Sequence, residues 1–372
     1  MLTWEKSYNT NIGIDAAFLN NRIDVSMEYY NTKTKDVIWN KALPVINGAF
    51  SPDGGPKANY TTNLNMCETS NKGFELALNT RNIITKNFTW SSSVTFNHNK
   101  EKITKLSGGD SDVLNNGDTG YALALGEAIN SYYHYKLDGV WQKGEETDAA
   151  VFGAAPGDLK INIPNLVKES DGRFYKIDEE TGSAAVDENG NVIYYTSDNK
   201  YTPSDADYQI LGHNSPDWSL GFQNNFTWKD FDLSVFVYAR YGQMFAYDML
   251  TSYDPKGIRN FPTYFNYWTE NNPSNDFPAA NANKGLEQYT GYYALRYVDG
   301  SFIKIKNITL GYSLPKSILK SAGIEKCRFY ATITNPFVFA KSHLLKDYDP
   351  EMNGSLKYPL TKQFVFGVNV TF

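Results

Sequence analysis

Apolar and polar residues alternate with a period of two along much of this 372-residue chain. From Gln363 to Phe372, one face collects Phe364, Phe366, Val368, Val370 and Phe372. The other carries Gln363, Gly367, Asn369 and Thr371, with Val365 the one apolar exception. Trp218, Leu220, Phe222, Phe226 and Trp228 repeat the pattern, interrupted by Asn224. After only Lys229-Asp230, the run Phe231, Leu233, Val235, Val237 and Ala239 follows. Ile12, Ile14, Ala16 and Phe18 lead through Asn20-Asn21 to Ile23, Val25, Met27 and Tyr29. A period of two is that of a strand with one apolar face, so these segments read as β-hairpins.

The connections alternate in length. Short turns follow residues 19, 80, 228 and 314, whereas long polar loops occupy about 37–66, 104–210, 243–293 and 340–361. That asymmetry is the habit of transmembrane β-barrels, with short periplasmic turns and long extracellular loops. The expected spanning strands are 11–18, 23–36, 68–80, 88–103, 213–228, 231–242, 296–314, 326–339 and 362–372. Strand direction requires 104–210 to hold no spanning strand or an even number, giving nine to eleven in all. The fold class expected is therefore all-β, a transmembrane antiparallel β-barrel. Barrels of this kind have even counts, so an odd count predicts further sequence before residue 1. The rival is a surface β-sandwich or adhesin that binds glycans through its loops.

Composition narrows the choice. Aromatics make up 15% of the residues and mean hydropathy is −0.48, while no apolar run is long enough for a membrane-spanning helix. The net charge of −6 disfavours a nucleic-acid partner, and residues 143–210 alone, with 14 acidic and 6 basic residues, contribute −8. Charged residues throughout the first thirty exclude a signal peptide's apolar core there. Only Cys67 and Cys327 are present. The expected strand directions put them at opposite ends of the barrel, so both should be free thiols.

Several short segments resemble the SusC-like (RagA-type) TonB-dependent outer-membrane transporters of the Bacteroidota. They are Leu2-Thr3-Trp4-Glu5-Lys6-Ser7, Asn11-Ile12-Gly13-Ile14-Asp15, Asn71-Lys72-Gly73-Phe74-Glu75, Asp138-Gly139-Val140-Trp141, Pro156-Gly157-Asp158 and Phe231-Asp232-Leu233-Ser234. Lys304 to Pro315 is the strongest, and Asp349-Pro350-Glu351 and the terminal Phe372 complete the set. The resemblance implies that residues 1–372 are the C-terminal part of a plugged 22-stranded barrel. Plug, TonB box and first strands have no counterpart in this chain. It also implies energisation through TonB, a SusD-like lipoprotein as lid, and an oligosaccharide or peptide as substrate.

Candidate sites follow. Phe364, Phe366 and Phe372 resemble the C-terminal signal read by barrel-assembly machinery, with lipid contact for the outward face. In the loop from Gln243 to Tyr293, Tyr247, Tyr253, Tyr264, Tyr267 and Trp268 stand among Asn, Asp and Pro, and Tyr132 and Tyr133 form a second group. Aromatic faces stack on sugar rings, so these are candidate ligand or partner contacts, unless they pack the loops on themselves. No cofactor is expected. Asp187, Asn189, Asp205 and Asp207 are candidates for a Ca²⁺ in an extracellular loop, although Val192 stands where a calcium loop wants glycine. Four histidines without metal-ligand spacing and the lack of a nucleophile elbow or phosphate loop argue against an enzyme. Asn225, Asp232 and Ser234 are expected to face inward, and Asn224 as well if a bulge re-aims its strand.

Overall fold

The computed structural model describes residues 2–42, 61–106, 113–116, 121–252, 256, 263–320 and 323–372. Nine antiparallel strands form one sheet in chain order. They are β1 (Lys6–Phe18), β2 (Ile23–Ala42), β3 (Thr61–Ile84), β4 (Phe88–Leu106), β5 (Trp218–Trp228), β6 (Phe231–Tyr241), β7 (Phe302–Ser313), β8 (Lys326–Ala340) and β9 (Gln363–Thr371). Among the described residues, 107–217 add no strand to this sheet, so the count is the lower of the expected values.

Directly paired residues share a face, and the register therefore shows what each face carries. One row runs Leu310, Leu233, Phe226, Trp90. Another runs Ile305, Val237, Phe222, Val94, Leu78, Val25 and Ala16, and the next Ile303, Ala239, Leu220, Phe96, Leu76, Met27 and Ile14. From the Trp228–Phe231 row at the short turns to the Trp218–Tyr241 row at the long loops there are five two-residue steps. At about 3.4 Å per residue and a tilt near 45°, these span roughly 24 Å, the height of a barrel's apolar band. Trp228 stacks on Phe231 and Trp218 on Tyr241, placing rings at both rims. Among the described residues no second sheet covers this face, and Phe364, Phe366 and Phe372 stand exposed on it or at its end. A β-sandwich would bury that face, so the rival architecture is overturned.

The opposite face is polar, and Asn225, Asp232 and Ser234 lie on it as expected, in the Asn225–Ser234 and Thr227–Asp232 pairs. Asn224 does not. Its strand pairs without irregularity on both sides, so the residue stays in the apolar rows between Ser92 and Val235. Its Oδ1 accepts from Trp90 Nε1 at 3.0 Å and Ser92 Oγ at 2.8 Å, which satisfies the oxygen without re-aiming the chain.

Three boundaries also differ from expectation. β2 and β3 continue to Ala42 and from Thr61, well past the band, because Val37 and Trp39 pack around Cys67, Ile103 and Leu123. The strand expected from residue 213 begins at Trp218, and His213 ends a segment, 209–213, that joins a four-stranded loop sheet with 113–116, 121–124 and 131–134. Residues 297–299 separate from β7 to pair with 244–246. In β7 Lys306 is an extra residue against β6, and against β8 it stands opposite two unpaired residues, Asn335 and Pro336. The parity flips there, so the apolar row passes from Ile308 to Ile305. Cys67 and Cys327 are both buried and free, as expected.

Candidate functional site

The long connections gather at one end of the sheet into a packed assembly. Its core comprises Val140 and Leu159 from one loop, Phe245, Tyr247, Leu250, Phe265, Trp268, Phe277, Tyr289, Tyr292, Leu295 and Val298 from the next, and Leu345 from the last. The Asp-Gly-Val-Trp and Pro-Gly-Asp segments are its joint. Strands 136–140 and 159–162 form a hairpin, Trp141 N donates to Asp158 O at 2.9 Å, and Gly157 N donates to Trp141 O at 2.8 Å. Gly139 and Gly157 hold φ of +100° and +94°. A Cβ on either would strike Asn275 or the Trp268 ring, which is why both positions are glycine. Asp158 closes the joint with an ion pair to Lys284 at 2.5 Å.

This packing decides the fate of the candidate aromatics. Tyr247 and Trp268 are 5% and 8% exposed, so they are core residues and offer no free ring face. Tyr247 lies 4.3 Å from the Tyr348 ring, and Trp268 Nε1 donates to Gln142 Oε1 at 2.9 Å. Tyr132 is also buried, stacked on Tyr121 at 4.8 Å and tilted against Tyr297 at 4.9 Å. Tyr133 and Tyr264 are half-buried, edge-on to Tyr208 and Phe265. Tyr267 remains exposed, and Tyr293, which sequence patterning did not single out, joins it. Tyr253 lies outside the described residues.

The calcium candidates are not brought together. Asp207 is fully buried, held by Lys176 at 2.6 Å and Tyr201 at 2.6 Å, with Ser204 N donating to its other oxygen. Burial alone would raise its pKa, yet the hydrogen bonds from Lys176 and Tyr201 outweigh burial and hold it below the usual carboxylate value. Burial and Asp207 push Tyr201 up to about 12. Asp187 accepts from the amides of Asn189 and Asn191 within its own turn. Asp205 and Asn189 are exposed, and among the described residues no group of three or more His, Cys, Asp or Glu could hold an ion. His134, stacked on Tyr208 at 4.8 Å, is pulled down to about 4 by burial and the nearby Arg296 charge.

An ion network that patterning did not foresee ties the last loop to the wall. Lys304 is fully buried and pairs with Asp349 at 2.5 Å and Glu351 at 2.8 Å, while Lys306 reaches Glu351 at 2.6 Å. Two segments already notable in sequence, around Lys304 and at Asp349-Pro350-Glu351, thus meet across 45 residues. Their opposite charges were the available signal. Two grooves open beside the loops. One, of about 470 Å³, lies between the last loop and β8, with Lys346, Asp347, Lys357 and Lys362 in its wall. The other, of about 390 Å³, lies between Tyr135, Met244, Asp276 and Tyr297. Such openings, with charged groups over a polar sheet face, suit capture and passage of a polar solute.

Comparison with known proteins agrees with this geometry. Residues 1–154 match the family described as TonB dependent receptor-like, beta-barrel. TonB-dependent receptor P3 of Formosa agariphila is 28% identical over all of this chain and 34% of its own length. TonB-dependent receptor SusC of Bacteroides thetaiotaomicron is 27% identical over all of this chain and 32% of its own length. A chain of the RagAB peptide transporter superposes with a TM-score of 0.70 at 24% identity, over 99% of this chain and 36% of that one. The chain thus spans about a third of the length of the curated relatives it matches. Those relatives are receptors and transporters, not enzymes. The two-faced sheet, the loops gathered at one rim and these likenesses show an all-β outer-membrane barrel fold, similar to that of the SusC- and RagA-like TonB-dependent receptors.

Proposed function

We propose that this chain is the C-terminal portion of a TonB-dependent importer that takes an oligosaccharide or a peptide across the outer membrane. A SusD-like lipoprotein closes over the loops, and TonB acts through a part of the transporter outside these residues. The observation that carries the reading is the division of labour within one sheet. One face is an apolar band interrupted at Asn224 and Ser92, the other is polar, and the loops at one rim pack together. Among the described residues β1 and β9 have no partner on their outer edges. Open edges are costly in lipid, which favours a larger closed barrel. Exposed Tyr267 and Tyr293 on the loops are candidate contacts for solute or lid. The imported class is drawn from the named transport of peptides by RagAB and from the likeness to SusC.

The test is uptake of labelled oligosaccharides and peptides by cells with and without the gene, each with and without a protonophore. Uptake of one class that needs both gene and proton gradient is expected. A surface lipoprotein should also co-purify with the solubilised protein in near-equal amount. Uptake indifferent to the gene, with no lipoprotein attached, would remove the proposal.

A further inference from the structure

On the outward face, immediately above the rim row Tyr29, Phe74, His98 and Trp218, the next two rows are basic. Lys72 pairs directly with Lys100. One step further out, Lys33 and Lys102 flank Ser70 from either side. All four lysines are exposed, and among the described residues none of them makes an ion pair or a hydrogen bond. Like charges directly opposed across a sheet destabilise it, so an unmatched cluster here calls for a partner from outside the chain. Lysines at the fringe are matched instead: Lys6 reaches Asp36 at 3.4 Å, Lys105 reaches Glu68 at 3.7 Å, and Lys341 reaches Asp299 at 2.6 Å. The carboxylates of Glu101, Glu127 and Asp217 line an adjoining recess with Lys100 and Lys102 but pair with neither. Glu101 instead accepts from Ser215 at 3.3 Å.

We propose that Lys33, Lys72, Lys100 and Lys102 form a binding site for the phosphate-bearing headgroup of an outer-leaflet glycolipid. The inference rests on the lipid-facing reading of the apolar rows. Position selects the occupant. The lysines stand one and two steps, roughly 5 and 10 Å, above the aromatic rim, at the depth where headgroup phosphates lie once acyl chains cover the band below. Four ammonium groups with Ser70 between two of them offer charge and hydrogen bonds to phosphate oxygens. A soluble anion would gain the charge but not the contact of its chains with Phe74, Leu76 and Phe96.

The test uses the intact outer-membrane protein in vesicles of phosphatidylcholine, with or without phosphorylated lipid A, and a fluorescent lipid A analogue as probe. Wild type should bind the probe. The variant Lys33→Gln/Lys72→Gln/Lys100→Gln/Lys102→Gln should lose affinity by on the order of tenfold or more, while Lys86→Gln/Lys229→Gln at the opposite rim should not. Inorganic phosphate alone should not displace the probe; full displacement would mean a simple anion site and overturn the lipid assignment. Equal binding by the fourfold variant, with its heat-sensitive gel shift retained, would overturn the inference while leaving the barrel intact. Failure of wild type to enter vesicles at all would instead overturn the lipid-facing reading, and the inference with it.

Discussion

The wall and the loop assembly use the same residue types in opposite ways. On the wall, Trp228, Phe231 and Phe366 point away from the protein and are exposed, because the solvent at that depth is lipid. In the loops, Trp268, Phe265 and Phe277 turn toward one another, the last two stacked at 4.2 Å, because the solvent there is water. Ions divide similarly. Lys304 is buried with two carboxylates where loop meets wall, whereas Lys33, Lys72, Lys100 and Lys102 on the outward rim make no ion pair among the described residues. An aromatic or a charge is thus no guide to burial until its side of the sheet and its height on it are known.

The strongest way to separate the regions is Lys304→Met. It leaves half-buried Asp349 without its lysine and half-buried Glu351 with Lys306 alone, a loss of up to about 3–5 kcal/mol. Proteolysis should then cut residues 341–362 readily while the heat-sensitive gel shift of the barrel persists. An unchanged cleavage pattern would mean the network does not anchor the loop. The converse is Val237→Arg, in the middle of the apolar band, expected to cost about 2–4 kcal/mol in urea unfolding from vesicles, whereas Asn225→Lys on the polar face stays near neutral. If both variants cost the same, the assignment of faces fails.

Acidification sharpens the comparison more gently. His134 titrates near 4 when folded and near 6.5 when unfolded, so the unfolded loop binds more protons in between. Its stabilisation is therefore complete above about 6.5 and is lost as pH falls toward 4. At pH 5 the loops should weaken by on the order of 1–2 kcal/mol, visible as faster amide exchange around 131–134 and 205–213, and His134→Phe should flatten that dependence. The smallest structural effect belongs to Tyr267→Ala, within about 0.5 kcal/mol in stability. Its value lies in function: uptake or lipoprotein retention should fall several-fold, and no change would leave Tyr293 as the exposed ring to examine.

Much of the wall was legible from alternation alone. Alternation, together with the lengths of the connections, located the nine strands within an expected nine to eleven and put Asn225, Asp232 and Ser234 on the polar face. Asn224 shows the limit. A polar residue in an apolar phase suggests a bulge, but Trp90 and Ser92, more than 130 positions away in the chain, supply the hydrogen bonds that let it stay. The one bulge in the β7 wall falls at Lys306, where the chain reads as ordinary strand. The loop aromatics were visible as a group, but whether each ring met solute, solvent or another ring was not, since contacts such as Trp268–Gln142 and Tyr132–Tyr297 join segments more than a hundred residues apart.

What the sequence by itself determined is the two-faced strand and the rhythm of short and long connections, because both are local: side-chain direction alternates with each residue, and a turn either closes in two residues or does not. Only the tertiary structure decided which aromatics are core, which acids are committed to lysines, and which lysines stand together on the lipid-facing rim. Those outcomes depend on register between strands and on packing between loops, and neither is encoded within any one segment.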